Sequence, residues 1–360
     1  MNILFLTDKK TRTNGYAVVG ENIRQVLGDH FHCQVDCFST DDYRNVLPGK
    51  TSLKSTLYEK YGFWVILWDL LTLVLFGQGK RYDIIHCNVE HFAVVAWLYS
   101  LIYNLPYTVT VHGTYGVVLP LKYRLFARAF RKAARVIAVS AFTMRRMHEE
   151  SIRAQIEVVG NGVDRKIFFP IESVIKKPQF LFVGNDKPRK GFLFLYEALC
   201  LLAKKGVKSE LIVVGKFGPT QSMVASRALA DGVSILFTGK VSEEALLKLY
   251  RESALNILPS RSEPFYFEGY GLIHAEAIAA GTLTLGCRYS GNEDAILDGN
   301  GWLVDYGDVT ALSEKLEAVL CHMSVDDWRP TGPCPMSWYD VTAAYMAIFN
   351  SIVSSYPRTI

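Results

Sequence analysis

Glu268 and Glu276 lie eight residues apart in the run PSRSEPFYFEGYGLIHAEAIAAGTLTLGCRYSGNEDAILDGNGWLVD. The turn Gly269-Tyr270-Gly271 follows the first of them, and an apolar helical pattern begins at Leu272. Such a turn leaves the first backbone N–H groups of a helix unpaired. Together with the helix dipole they favour an anion such as a phosphate. Carboxylates on either side accept hydrogen bonds from hydroxyls. A site that holds phosphate and sugar hydroxyls together suits a nucleotide-sugar.

Other residues extend this chemistry. The loop from Gly184 to Gly191 (GNDKPRKG) follows a strand-like run and carries Lys187, Arg189 and Lys190. Cations beside such a turn neutralise a diphosphate leaving group. His112 ends the pattern TVTVH and is followed by Gly113, and ligands in open α/β folds bind beyond the carboxyl ends of strands. His86, in IIHCN, has the weaker claim and shapes the cleft. Gly15 closes the loop Asp8–Gly15, where a glycine lets the backbone approach a phosphate; a plain turn explains it equally well. Glu293 either supports the nucleotide pocket or is a solvated loop residue. No D-x-D pair occurs, and Asp41 and Asp42 are adjacent. No metal and no other cofactor is therefore expected, with basic side chains and helix dipoles stabilising the leaving group instead. Hydrolase-triad, P-loop and zinc spacings are missing as well.

These residues need a scaffold that alternates strands with helices. Ile3–Thr7, Ile84–Cys87, Thr108–His112, Val136–Val139 and Ile156–Val159 read as strands, with Ser140 as a helix N-cap. Periodicity lapses between Ile167 and Pro178 and then restarts. Phe180–Val183, Leu211–Val214, Ile235–Phe237, Asn256–Leu258 and Leu283–Leu285 read as strands, and Phe192–Lys204 as a helix. Alternation of this kind implies doubly wound parallel sheets. We expect one domain over residues 1–168, a second over 178–336, and a C-terminal helix within 337–360. At 360 residues the chain suits two domains. Met1-Asn2 runs straight into a strand, so no secretory signal is expected. The seven scattered cysteines read as thiols in a reducing compartment.

The net charge of +4 does not imply nucleic acid, but its distribution is uneven. Between Gly116 and His148 there are eight Lys/Arg and no Asp or Glu. Residues 122–135 (KYRLFARAFRKAAR) read as a basic amphipathic helix. It is either a membrane-surface element or an ordinary solvated face. The apolar run Phe63–Phe76 is too short to span a bilayer. It reads as a buried helix, with a face for a lipid-linked acceptor as the alternative.

The context EGYGL…AEAIAAG, followed by Gly291, Glu293 and GNGWLVD, resembles the E-x7-E motif of retaining glycosyltransferases of the GT-B fold, family 4 (glycosyl transferases group 1). The resemblance implies two Rossmann-like domains facing across a cleft. It implies a nucleotide-sugar donor held mainly by the second domain and an acceptor bound mainly by the first. By the same resemblance Glu268 contacts the donor sugar and Glu276 the ribose, and the amides of Tyr270, Gly271 and Leu272 face the sugar and phosphates. His112 contacts sugar or phosphate, and Lys190 the diphosphate. In the family a glycine pair stands where this chain has Asn14-Gly15. An Arg normally follows the first glycine of the second domain, where this chain has Asn185; Lys187 or Arg189 is then expected to supply the charge. The implied activity is hexosyl transfer. The basic segment 122–135 and the apolar run Phe63–Phe76 lean towards a lipid-linked acceptor at the cytoplasmic face of the membrane, as in polysaccharide or glycolipid assembly. A GT-B epimerase and a non-catalytic nucleotide-sugar-binding protein stay open as alternatives. A dehydrogenase is disfavoured, because neither half carries G-x-G-x-x-G after a strand.

Overall fold

The computed structural model describes residues 1–7, 15–39, 53–77, 79–323 and 328–356. Side chains of the helix Leu53–Phe76 are described at position 64 and from position 66 onward. The chain forms two compact units, one of residues 1–161 with 338–360 and one of residues 162–337.

The first unit is built on β1 (Asn2–Thr7), β2 (Gln34–Ser39), β3 (Ile84–Cys87), β4 (Tyr107–Val111), β5 (Arg135–Ala138) and β6 (Ile156–Val158). They form one sheet in the order β2-β1-β3-β4-β5-β6, with every pair parallel. Runs such as ILFL and VIA are apolar throughout because both sheet faces are covered. The strand order reverses between β1 and β3, which opens a crevice beyond their carboxyl ends.

The second unit repeats the plan with β7 (Lys177–Val183), β8 (Glu210–Val214), β9 (Ser234–Gly239), β10 (Ser253–Ile257), β11 (Thr284–Cys287) and β12 (Gly301–Val304). Their order is β12-β11-β10-β7-β8-β9, again with parallel pairing. Successive residues of β7 serve opposite faces. Phe180 and Phe182 enter a core with Leu195, Leu199 and Leu316, while Leu181 meets Tyr250, Ala277 and Phe168 on the other face. Here the reversal lies between β7 and β10, so the loops following these two strands rise side by side.

Four features depart from the sequence reading. The division falls after Asn161 rather than in the stretch 167–178. Val163 and Phe168 are buried in the second unit's core, and Val163 N–H donates to Met336 C=O at 2.9 Å. The basic segment 122–135 is not one helix. Thr114–Lys122 and Arg124–Lys132 are separate helices broken at Tyr123, whose backbone is extended. The apolar run at 63–76 belongs to a longer helix, Leu53–Phe76, whose described side chains are buried on one side only. Two strands, β2 and β12, were not read at all: QVDCFS mixes polar with apolar residues, and GWLV is only half-buried.

The C-terminal helix Trp338–Ser355 packs within the first unit. Tyr345 Oη lies 3.0 Å from Thr110 Oγ1, and the Tyr345 and Phe349 rings meet the His86 ring at 5.4 and 5.3 Å. His86 is fully buried beneath this helix, with Nδ1 2.8 Å from Thr108 Oγ1. Burial lowers its pKa to about 3, so it stays neutral. It is a packing residue of the core.

Candidate functional site

The loops after β7 and β10 interlock above the sheet of the second unit. Pro188–Lys190 forms a single 3₁₀ turn that ends at Gly191 with φ +71°. A Cβ on Gly191 would stand 1.9 Å from the Pro259 carbonyl oxygen, so only glycine lets the two loops approach this closely. Arg261 N–H donates to Arg189 C=O at 2.8 Å and ties them again.

This interlocking brings Arg189 and Lys190 onto Glu268. Lys190 Nζ donates to Glu268 Oε2 at 2.6 Å, and Arg189 Nη1 donates to the same oxygen. Burial alone would raise the Glu268 carboxyl; the charges of Lys190 and Arg189 outweigh it and hold the group at about 2. Burial lowers the Lys190 pKa, and the Glu268 carboxylate opposes that. The cluster is one carboxylate between two cations, leaving one formal positive charge for an incoming anion.

Beyond Glu268 the chain turns at Gly271, φ +89°, into the helix Leu272–Ala279. No side chain caps this helix. The first amides of a helix have no partner within it, and here His274 N–H donates to Gly271 C=O at 2.9 Å. Gly291 N–H donates to Glu268 C=O at 2.9 Å and braces the loop from behind. Glu276 lies one face round the helix and accepts from Tyr250 O–H at 2.9 Å. Burial raises its carboxyl to about 7. His274 and Asn292 are fully buried against Gly271. Burial lowers the His274 pKa to about 3, and its Nδ1 lies 2.6 Å from Thr284 Oγ1.

Tyr270 is buried, while Asn185 and Lys187 are exposed. Gly184 N–H donates to Val214 C=O at 2.9 Å, which fixes the start of the loop. Asp186 Oδ2 accepts from the N–H groups of Gly218 and Thr220, at 3.1 and 3.2 Å, and fixes its middle. Of the two residues expected to replace the missing arginine charge, Arg189 is the one set in the cluster.

In the first unit, His112 follows β4 directly. Its N–H donates to Glu90 Oε1 at 2.7 Å, and Nε2 lies 2.7 Å from Asn88 C=O. A carbonyl only accepts, so Nε2 carries the proton and Nδ1 is the acceptor nitrogen. Burial lowers the His112 pKa to about 4, and the ring packs on Tyr16 at 4.9 Å between centroids. Glu90 is fully buried, and burial raises it to about 7. Gly15 is the exposed first residue of the helix Gly15–Asp29; the rest of its loop, Asp8–Asn14, lies outside the described residues.

The sequence reading missed Asn88, Glu90 and Tyr250. The first two stand just beyond β3, at the sheet's reversal point, and strand order alone would have singled them out. Tyr250 gave no signal, because it reaches Glu276 from another helix. Among the described residues no group of three or more His, Cys, Asp or Glu is placed to hold a metal ion.

Comparisons with known proteins agree with the fold. A family model described as glycosyl transferases group 1 matches residues 163–323, and one described as glycosyltransferase family 4 matches residues 15–166. An uncharacterized glycosyltransferase of Methanocaldococcus jannaschii is 24% identical over 309 residues, covering 82% of this chain and 82% of its own. The D-inositol 3-phosphate glycosyltransferase of Mycolicibacterium smegmatis is 27% identical, over 76% of this chain and 68% of its own. An Anabaena protein solved in complex with UDP and glucose superposes with a TM-score of 0.70 at 17% identity, over 97% of this chain and 99% of its own.

Proposed function

The chain belongs to the GT-B glycosyltransferases that those two family models describe, and on that premise we propose that it transfers a hexose from a nucleotide-sugar to a saccharide or lipid-linked acceptor with retention at the anomeric carbon. The observation that carries the reading is the cluster of Arg189, Lys190 and Glu268 beside the open N-terminus of the helix Leu272–Ala279. The helix amides and the two cations receive the diphosphate, and they stabilise the charge that develops as it leaves. We place that role on Lys190 and Arg189 rather than on a metal ion. Glu268, kept ionised, orients sugar hydroxyls, and Glu276 holds the ribose. His112 offers Nδ1 to a sugar hydroxyl, and Glu90 fixes its backbone. The Anabaena protein's complex with UDP and glucose supports a donor of this class.

Retention without an evident nucleophile fits a front-face substitution. The bond from the anomeric carbon to the phosphate oxygen breaks as the bond to the acceptor oxygen forms on the same face. The acceptor's proton passes to the departing phosphate oxygen. Polysaccharide or glycolipid assembly is the process that suits such an acceptor.

The test begins with a thermal-shift panel of nucleotides and nucleotide-sugars, in which a stabilising hit names the donor. Transfer is then followed with that donor. Lys190→Ala is expected to lower kcat by roughly 10²–10³-fold, the usual cost of losing one such electrostatic contact. Glu268→Gln should lower transfer while the protein still binds the nucleotide. Unchanged rates in both variants would remove the assigned roles. Turnover of the donor with no acceptor present would mark an epimerase, and binding with neither transfer nor hydrolysis a non-catalytic protein.

A further inference from the structure

The described part of the helix Leu53–Phe76, position 64 and 66 onward, sorts its side chains against expectation. Trp64, Leu67, Trp68, Leu71 and Leu75 are exposed, with 66% of Trp64, 49% of Trp68 and 62% of Leu75 open to solvent. At 100° per residue, positions 64, 68, 71 and 75 fall in one narrow stripe, with 67 at its edge. Ile66, Leu73 and Gly77 are buried on the opposite side. Asp69, the sole acid between positions 64 and 76, is buried there as well. The water-facing side is therefore the apolar one, which inverts the usual pattern of a surface helix. A continuous stripe of this kind marks an interaction site.

A basic surface is linked to it through one further helix. The helix Ala93–Tyr103 packs against both Leu53–Phe76 and Arg124–Lys132. The Arg128 guanidinium sits over the Trp97 ring, 5.4 Å from its centroid, which joins Ala93–Tyr103 to Arg124–Lys132. Arg124, Arg128 and Arg131 are exposed. A cavity of about 400 Å³ opens beside them, lined also by Leu121, Arg153 and Glu150. Glu150 is the one acid in that lining, and its carboxylate pairs with Arg146 at 3.5 Å.

We infer that this face of the first unit seats on an anionic lipid bilayer, with the Trp64–Leu75 stripe in the interface and Arg124, Arg128 and Arg131 on lipid phosphates. Two indoles in an exposed apolar stripe match the membrane interface, where an amphipathic ring is best accommodated. The charge of the helix Arg124–Lys132 is the complement of an anionic leaflet. Among the described residues no helix is long and apolar enough to cross a membrane, so the contact lies in the plane of the surface. The inference extends the proposed function by supplying the place where a lipid-linked acceptor is met, and it rests on none of the residues assigned to the donor.

Co-sedimentation of the full chain with vesicles tests it, using phosphatidylcholine alone and phosphatidylcholine mixed with phosphatidylglycerol. The protein is expected to partition onto the mixed vesicles, to be released by high salt and to ignore pure phosphatidylcholine. Trp68→Glu should lower partitioning at least tenfold, roughly the effect of placing a charge in an inserted stripe. Arg124→Ser and Arg131→Ser should each lower it about fivefold. All three positions are exposed, and each variant should melt like the unmodified protein. The inference is overturned if the unmodified protein stays in the aqueous phase with both vesicles, or if Trp68→Glu partitions normally. It is equally overturned if the unmodified protein is a dimer that Trp68→Glu converts to monomer, since a second copy would then cover the stripe. Vesicle binding without any nucleotide-sugar shift would instead sink the proposed function and leave this inference standing.

Discussion

Glu276 is held close to the pH at which it exchanges its proton, because burial lifts its carboxyl to about 7 while the Tyr250 hydroxyl opposes the shift. In the unfolded chain it ionises near the ordinary value of 4.5. The stability this group contributes is therefore full below that pH and is lost as pH rises towards 7. Glu276→Gln keeps the hydrogen bond to Tyr250 and removes the titration. At pH 8 the variant should be more stable by about 1–3 kcal/mol in urea unfolding, and its nucleotide affinity should fall roughly tenfold as a ribose acceptor is lost. An unchanged urea midpoint at pH 8 would contradict this. Glu268 is the opposite case: Lys190 and Arg189 hold it near 2, so it is ionised throughout the physiological range. The two glutamates of one motif thus differ in charge behaviour because one has cations beside it and the other a phenol.

The helix Leu272–Ala279 depends on the turn that starts it. Gly271 has φ +89°, and a Cβ there would stand 2.8 Å from His274 Cδ2 and 2.9 Å from Asn292 Nδ2. Gly271→Ala should cost about 1–3 kcal/mol in stability and shift the helix amides, weakening nucleotide binding. Thermal melting with and without nucleotide measures both, and an unchanged melting temperature would contradict it. This turn was legible in the sequence because EGYG followed by an apolar helical pattern has few other readings, and Ser140 was legible as a cap, its Oγ accepting from Thr143 N–H at 2.9 Å. The pairing of Arg189 and Lys190 with Glu268 was not. Those residues stand 79 and 78 positions apart and meet only because β7 and β10 are neighbours, a fact that follows from strand order and not from any local pattern. The stripe on Leu53–Phe76 was misread for a related reason: counting apolar residues reveals how much of a helix wants to leave water, but not how much partner surface the rest of the fold supplies.

Each unit has its own parallel sheet and its own core, yet the chain passes between them twice, after Asn161 and again before Trp338. The strands of the first unit end by Val158, but the helix that covers His86 begins only at Trp338. Cys33 and Met346 sulfurs, 3.7 Å apart, lie 313 positions from one another in sequence. Removing residues 338–360 should therefore expose the surface around His86 and Thr110, raise binding of a hydrophobic dye and lower solubility; a truncated chain that stays soluble and dye-free would contradict this. The same connectivity sets an order of events on the ribosome. All of the second unit emerges while the first still lacks its last helix, so the half that is synthesised first is the half that is completed last. A nascent chain of this kind has an interval, about as long as the time needed to make residues 162–337, in which its amino-terminal half is open to chaperones.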